Sequence, residues 1–247
     1  MKIVAIIQAR MSSSRLPGKV LMNLSGEPVL GHIVNRLKTC NYIHQIVVAT
    51  SIENSDNPIE EFCTNNKINV YRGSLNDVLD RYYQASKKYN ADGILRITAD
   101  CPVVDPEIVD IIISLFLETQ CDLCGLSGEF PDGLDCSVFS FTAIEKSWNE
   151  AKLASEREHV GPYIEKNPDI FKIVPVEIFH NLGHFRWTLD TQEDYILIKE
   201  IYNKLYKEKK VFLTQDILDM LKKNPYLTSI NDKIIRNEGY LKSLEKD

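Results

Sequence analysis

The chain has 247 residues, 29 Lys+Arg against 35 Asp+Glu for a formal charge of −6, with 44% apolar and 26% charged residues; this excludes disordered, collagen-like and fibrous classes and suffices for a substantial core. No apolar run approaches the roughly 20 residues that cross a bilayer, and Ile3 to Ile7 is too short for a signal-peptide core, so a cytoplasmic protein with no membrane partner is expected. A mildly acidic chain offers nucleic acid no general attraction, and any polyanionic ligand must meet a local basic patch.

Lys2 to Gln8 is nearly all apolar, as suits a strand buried on both faces of a parallel sheet. Pro28 then opens a helix whose Val29, Leu30, Ile33, Val34 and Leu37 recur at helical spacing. Gln45 to Thr50 reads as a strand, Pro58 as a helix start, and Asn69 to Arg72 as a short extended piece. Asn76 is placed to cap a helix running through Tyr89, Gly93 to Thr98 is the next strand, and Pro106 begins another helix. Four strand–helix alternations predict an α/β fold with a mostly parallel, doubly wound sheet and helices on both faces.

The second half is less regular. Cys121 to Leu126 and Leu134 to Phe139 read as strands around a turn-rich Gly128 to Gly133 segment. Thr142 to Lys152 and Ser155 to Glu165 read as helices, the second with Ser155 and Glu158 at capping-box spacing. Phe171 to Val176 and Phe185 to Thr188 read as strands, followed by a helix from Thr191 to about Leu205. One domain spanning 1–247 is expected, with about 120–185 as an acceptor-side insertion and possible dimer surface and about 206–247 as a helical extension. The six cysteines carry no secretory context, and only Cys121 and Cys124 form a CxxC pair, without the second pair or histidines a zinc site needs.

Chemistry concentrates in Gln8 to Lys19, QARMSSSRLPGK, which follows the first strand and holds Arg10, Arg15 and Lys19 with no acid among its twelve residues. Ligands of open α/β sheets gather beyond the carboxyl ends of the strands, so this loop stands where a ligand belongs. Two guanidiniums, one ammonium, three serine hydroxyls and the backbone around Gly18 suit a triphosphate. A solvated basic loop is the alternative; a Walker A loop is absent. Asp100, at the end of the GILRIT strand and before Cys101-Pro102, reads as a turn residue, and Asp190, before Thr191, as a cap of the next helix.

Five segments go further together: IIQARMSSSRLPGKVL (6–21), RITADCPVVDP (96–106), DGLD (132–135), REHVGPYI (157–164) and RWTLDTQEDY (186–195). They occur in the order, and resemble the motifs, of the SpsF-type cytidylyltransferases, relatives of the CMP-KDO and CMP-sialic acid synthetases that include phosphoglutamine cytidylyltransferase-type enzymes. The resemblance implies a three-layer α/β/α Rossmann-like nucleotidyltransferase fold and transfer of CMP from CTP, with a magnesium ion on Asp100 and Asp190. Arg10, Arg15 and Lys19 would grip the triphosphate, while Gln8, Ala9, Ala49, Thr50, Ser51, Arg72, Gly73 and Ser74 would border the base and ribose. Asp77 and Arg81 are weaker candidates, since a helical i,i+4 ion pair explains them equally well. Asp132, Asp135, Arg157, His159, His184 and Arg186 would face a small anionic acceptor, although Arg157 also has acidic neighbours to pair with and His159 also suits packing. Trp187 and Tyr195 read as core.

The resemblance further implies a homodimer serving surface polysaccharide or capsule synthesis. Departures from the KDO and sialic acid enzymes at QARMSSSR and at Cys101-Pro102 favour a phosphorylated acceptor over a sugar acid. A metal-dependent glycosyltransferase is the competing enzyme reading, weakened because Asp100-Cys101-Pro102 lacks the second acid of a DxD pair. A non-catalytic nucleotide-binding module is the third.

Overall fold

The apolar run at the N-terminus forms β1 (Ile3–Gln8), whose residues Ile3 to Ile7 are all fully buried, at the middle of a sheet covered on both sides. In the computed structural model, which describes residues 1–207 and 209–247, a two-residue hairpin of β2 (Asn23–Leu24) and β3 (Glu27–Pro28) precedes α1 (Val29–Leu37). The alternation then runs β4 (Gln45–Ser51), α2 (Asn57–Asn65), β5 (Asn69–Gly73), α3 (Val78–Lys88), β6 (Gly93–Thr98) and α4 (Pro106–Thr119). Proline at the first turn of α2 and α4 matches its tolerance there, where the missing N–H removes no helical bond. The cap of α3 is Asp77, whose carboxylate accepts from Asp80 N, rather than Asn76.

The second half contributes β7 (Leu123–Leu126), β8 (Ser137–Ser140), α5 (Phe141–Glu150), α6 (Ala154–His159), α7 (Pro162–Glu165), β9 (Ile173–Val176), α8 (Gln192–Leu205), α9 (Thr214–Lys223) and α10 (Glu238–Leu244). The sheet has seven strands in the order β5-β4-β1-β6-β8-β7-β9. It is parallel except for β8, which runs against both β6 and β7. Helices α1, α2, α4, α8 and α9 pack on one face, and α3, α5, α6 and α7 on the other, each around its own apolar cluster. This is the expected mostly parallel α/β fold in three layers.

Two second-half expectations change. The helix expected over Ser155 to Glu165 is two helices, broken at Val160, which adopts φ +70°, and the capping carboxylate is Glu156, accepting from the backbone of Lys152 and Leu153. Phe185 to Thr188 is no strand: it touches the loop at Asp132 through a single bridge, Trp187 N donating to Asp132 O at 2.6 Å. Gly133 permits that approach, since a Cβ there would lie 2.5 Å from the backbone of Trp187 and Thr188.

Candidate active site

Beyond Gln8 the chain leaves the sheet and is held by Asp56, a fully buried carboxylate that sequence reading gives no reason to single out. It accepts from Met11 N at 2.7 Å and from both the backbone and hydroxyl of Ser51, fastening the basic loop to the end of β4. Gly18, at φ +74°, closes the loop with its N–H on Met11 O at 2.9 Å. The following 3-10 turn aims Lys19, only 7% exposed, back across the strand ends.

There the ammonium of Lys19 meets Asp100 at 2.8 Å and Asp190 at 2.7 Å. Their ninety-residue separation in sequence closes because Leu189 N and the Thr188 hydroxyl both donate to Asp100 O, at 2.8 and 3.2 Å. Arg15 reaches the other oxygen of Asp190 at 3.0 Å and Glu238 of α10 at 2.7 Å. Arg186 is held by three carboxylates: Asp132 at 2.6 Å, Asp190 at 3.1 Å and Asp194 at 2.9 Å. Asp194, fully buried, also accepts from the backbone of Asp190 and Thr191 and from the Asn231 amide, so the helix-capping role goes to Asp194 and Thr191 while Asp190 points outward.

Charge follows from this packing. Burial by itself would lower the Lys19 pKa, but Asp100 and Asp190 outweigh it and hold the group protonated. Burial pushes the Asp100 carboxyl up, and the Lys19 ammonium more than offsets that, holding it ionised well below the usual carboxylate range. Asp132 goes the other way: burial and neighbouring Asp135 raise it to about 6 against the pull of Arg186.

Two carboxylates converging on the point where an ammonium sits suit a hard divalent cation, which takes one or two protein carboxylates and fills the remaining positions with phosphate oxygens and water. Among the described residues no group of three or more His, Cys, Asp or Glu side chains is placed to hold a metal by itself. An ion on Asp100 and Asp190 would therefore share its coordination with the substrate.

A cleft of about 530 Å³ opens beyond the carboxyl ends of β1 and β6. Gln8, Ala9, Arg10, Arg15 and Lys19 line it along the loop that follows β1. Asp100, Asp190, Asp132, Asp135, His159 and Arg186 face it from the other side. Arg10 is exposed.

Several expected contacts fall elsewhere. Ala49, Thr50 and Ser51 are fully buried behind the loop, Ser51 serving Asp56. The Arg72 guanidinium is engaged by Ser51 O, Glu53 O, Asn57 and Glu60, and with Gly73 and Ser74 it lies off the cleft. Arg157 pairs with Asp77 and donates to Trp148 O, joining α6 to α3 outside the cleft. His184 is an exposed ring against Phe185. The Asp77–Arg81 ion pair does not form: Arg81, 2% exposed, donates instead to Ser74 O and borders the cleft. Trp187 is core, and Tyr195 donates to Asn23 O off the cleft.

Beside Asp56, sequence reading passes over Asp194, Asn231, Glu238 and Arg96. The i,i+4 steps Arg186–Asp190–Asp194 and the lone charge inside GILRIT were visible signals for two of them; nothing local marks Asn231 or Glu238.

A cytidylyltransferase family model matches residues 4–238. An uncharacterised protein of Methanocaldococcus jannaschii is 41% identical over 243 residues, covering 97% of this chain and 98% of its own length. The spore coat polysaccharide biosynthesis protein SpsF of Bacillus subtilis is 31% identical over 237 residues, covering 90% and 95%. The solved structure of a cytidylyltransferase from Leptospira borgpetersenii serovar Hardjo-bovis superposes with a TM-score of 0.87 at 37% identity, covering 96% of this chain and all of that one. With the fold, the motif order and these likenesses in agreement, the glycosyltransferase and scaffold alternatives give way, and the chain belongs to the SpsF-type cytidylyltransferase family as a CTP-dependent nucleotidyltransferase.

Proposed function

We propose that this enzyme transfers CMP from CTP to a small anionic acceptor, a phosphorylated metabolite in preference to a sugar acid, with magnesium on Asp100 and Asp190. The observation that carries the reading is the meeting of Lys19 with both carboxylates at one rim of the cleft, 2.8 and 2.7 Å away, with Arg15 alongside. An acceptor oxygen bonds to the α-phosphorus as the bond from that phosphorus to the bridging oxygen breaks; pyrophosphate leaves and the acceptor proton passes to solvent. Arg15 and Lys19 neutralise the departing pyrophosphate, and Arg10 extends that cationic wall. Arg186, fixed by Asp132 and Asp194, keeps Asp190 facing the reacting centre. When bound, the metal ion supplies charge neutralisation at the α-phosphate and its leaving group. Positioning and electrostatics are the whole contribution of the chain, with no covalent intermediate.

The likeness to a spore coat polysaccharide protein supports a product used in building surface polysaccharide. A cytoplasmic homodimer with an acceptor-side insertion at about 120–185 and a C-terminal extension from about 206 belongs to the same reading. No helix among the described residues is long and apolar enough to cross a membrane. The test is pyrophosphate release from MgCTP across a panel of phosphorylated metabolites and sugar acids. Release with a phosphorylated acceptor is expected; turnover confined to a 2-keto sugar acid would reverse the acceptor preference, and CTP binding without release across both classes would overturn the transfer reading.

A further inference from the structure

On the α3 side of the sheet the cleft floor carries three polar side chains at alternating positions: Gln8 of β1, and Arg96 and Thr98 of β6. Register sets Arg96 beside Ile6 and Thr98 beside Gln8, so all three share one face of the pleat. Arg96 is the anomaly, the one charged residue of its strand. Among the described residues it forms no hydrogen bond or ion pair with protein, and its Nε is shut off from solvent. Gln8 Oε1, close by on the same floor, is likewise buried without a donor. The other deeply placed arginines lining the cleft are engaged by protein, Arg186 by three carboxylates and Arg81 by the Ser74 carbonyl although its Nε too lacks a partner. Buried polar groups left without partners are unfavourable and persist where a ligand supplies the partner.

The wall facing Arg96 is the broken helix. Val160, a buried β-branched residue, sits at φ +70°, a strained conformation that persists only where surrounding packing holds the backbone. That break turns His159, Gly161, Pro162 and Glu165 toward the cleft. The Glu165 carboxyl feels the Arg96 charge yet forms no ion pair with it. Burial, with Arg96 and Arg10 nearby, pushes the His159 pKa down against Glu158, and the ring Nε2 lies 2.8 Å from the Ser243 hydroxyl of α10.

We propose that Arg96 anchors the anionic group, carboxylate or phosphate, of the acceptor, and that the pocket between β6 and the α6–α7 break sets acceptor specificity. This rests on the nucleotidyltransferase reading above. The nucleotide's own charge is met by Arg10, Arg15 and Lys19 of the loop after β1, whereas Arg96 belongs to β6 and shares the cleft lining with Glu158 and Glu165. Two carboxylates repel a triphosphate but accept hydrogen bonds from the hydroxyls or ammonium of a compact, singly anchored acceptor. Arg157, expected from the sequence to do this work, points away into its pair with Asp77.

The test uses the full chain loaded with magnesium and a non-hydrolysable α,β-methylene analogue of CTP, so that the triphosphate cations are occupied. Inorganic phosphate and D-glycerate are then titrated separately by calorimetry. At least one probe is expected to bind the wild type, the one that does identifying phosphate or carboxylate as the anchored group. Its dissociation constant should rise about tenfold or more in Arg96→Ala and less in Arg96→Lys, with affinity for the analogue unchanged within about twofold. Arg96→Gln, which keeps the bulk of the side chain, serves if the alanine variant does not fold. Neither probe binding the wild type, or every variant binding the probe as the wild type does, overturns the proposal; so does parallel weakening of the analogue, which would make Arg96 a nucleotide residue. Failure of the underlying nucleotidyltransferase reading shows separately, as an analogue that does not bind the wild type.

Discussion

The two walls of the cleft are built differently. The basic wall, proposed to take the nucleotide, is one continuous stretch, Gln8 to Lys19, leaving the central strand of a regular parallel arrangement, and one buried acid, Asp56, anchors it. The rest of the lining is assembled from five separated pieces: the end of β6, the Asp132 loop, the α6–α7 break, the Arg186–Asp190 segment and α10. Cations dominate the first and carboxylates the second, and the contacts between walls include ion pairs that cross 81, 171 and 223 residues of sequence. The cations thus come from one local segment, while the acid site exists only after the whole domain has closed.

The largest effect expected from disturbing this division is at the seam. Asp190→Asn removes one carboxylate charge from the proposed metal pair while Asp194 and Arg186 still hold the backbone. Pyrophosphate release should fall about a thousandfold, with far-ultraviolet circular dichroism unchanged. Near-normal turnover would remove Asp190 from the chemistry. Lys19→Met comes next. It should weaken CTP binding about tenfold to a hundredfold, the scale of one or two lost charge-assisted hydrogen bonds, measured by calorimetry with a CTP analogue. An unchanged affinity would mean that Lys19 serves only to neutralise Asp100 and Asp190.

How much of this was legible follows the same division. Ile3 to Ile7 announces a buried central strand because a two-sided parallel strand is apolar at every position, and the basic loop is conspicuous because its cations are contiguous. Asp100 and Asp190 were found only through motif likeness, since no spacing rule links positions joined by a Leu189-to-Asp100 backbone bond. Arg72 and Arg157 read as ligand cations because a sequence shows a charge and not its partner; Glu60 and Asp77 engage them from other segments. Arg96 escaped for the converse reason, its distinction being the partner it lacks.

The anchors behind each wall should give smaller effects, visible in stability before activity. Asp56→Ala leaves Met11 N and the Ser51 backbone and hydroxyl without their acceptor, and should lower unfolding free energy by about 1–3 kcal/mol in urea titration while loosening the loop enough to weaken CTP binding severalfold. Asn231→Ala removes a donor to Arg186 O and to Asp194 and should lower stability by about 1–2 kcal/mol, with its kinetic effect in kcat more than in the KM for CTP. Equal disturbance of CTP binding by the two variants would erase the division between walls.

The smallest expected effect concerns pH and Asp132. Its carboxyl protonates at about pH 6 in the folded chain, because burial and Asp135 outweigh Arg186, and near 3.8 when unfolded. Between those values the folded state binds more protons, so this group's stabilising contribution is complete below pH 3.8 and is lost as pH rises through 6. His159, held below its usual 6.5 chiefly by burial, acts oppositely: its contribution is complete above 6.5 and declines as pH falls toward its lowered value. The two slopes partly cancel in the wild type, so only a difference profile separates them. In Asp132→Asn the Asp132 component disappears while Arg186 keeps Asp190 and Asp194. Urea midpoints taken from pH 4 to pH 7 should therefore show the variant gaining stability with rising pH more steeply than the wild type. Parallel profiles would mean that Arg186 holds Asp132 ionised throughout, and that the anionic wall keeps its full charge at acid pH.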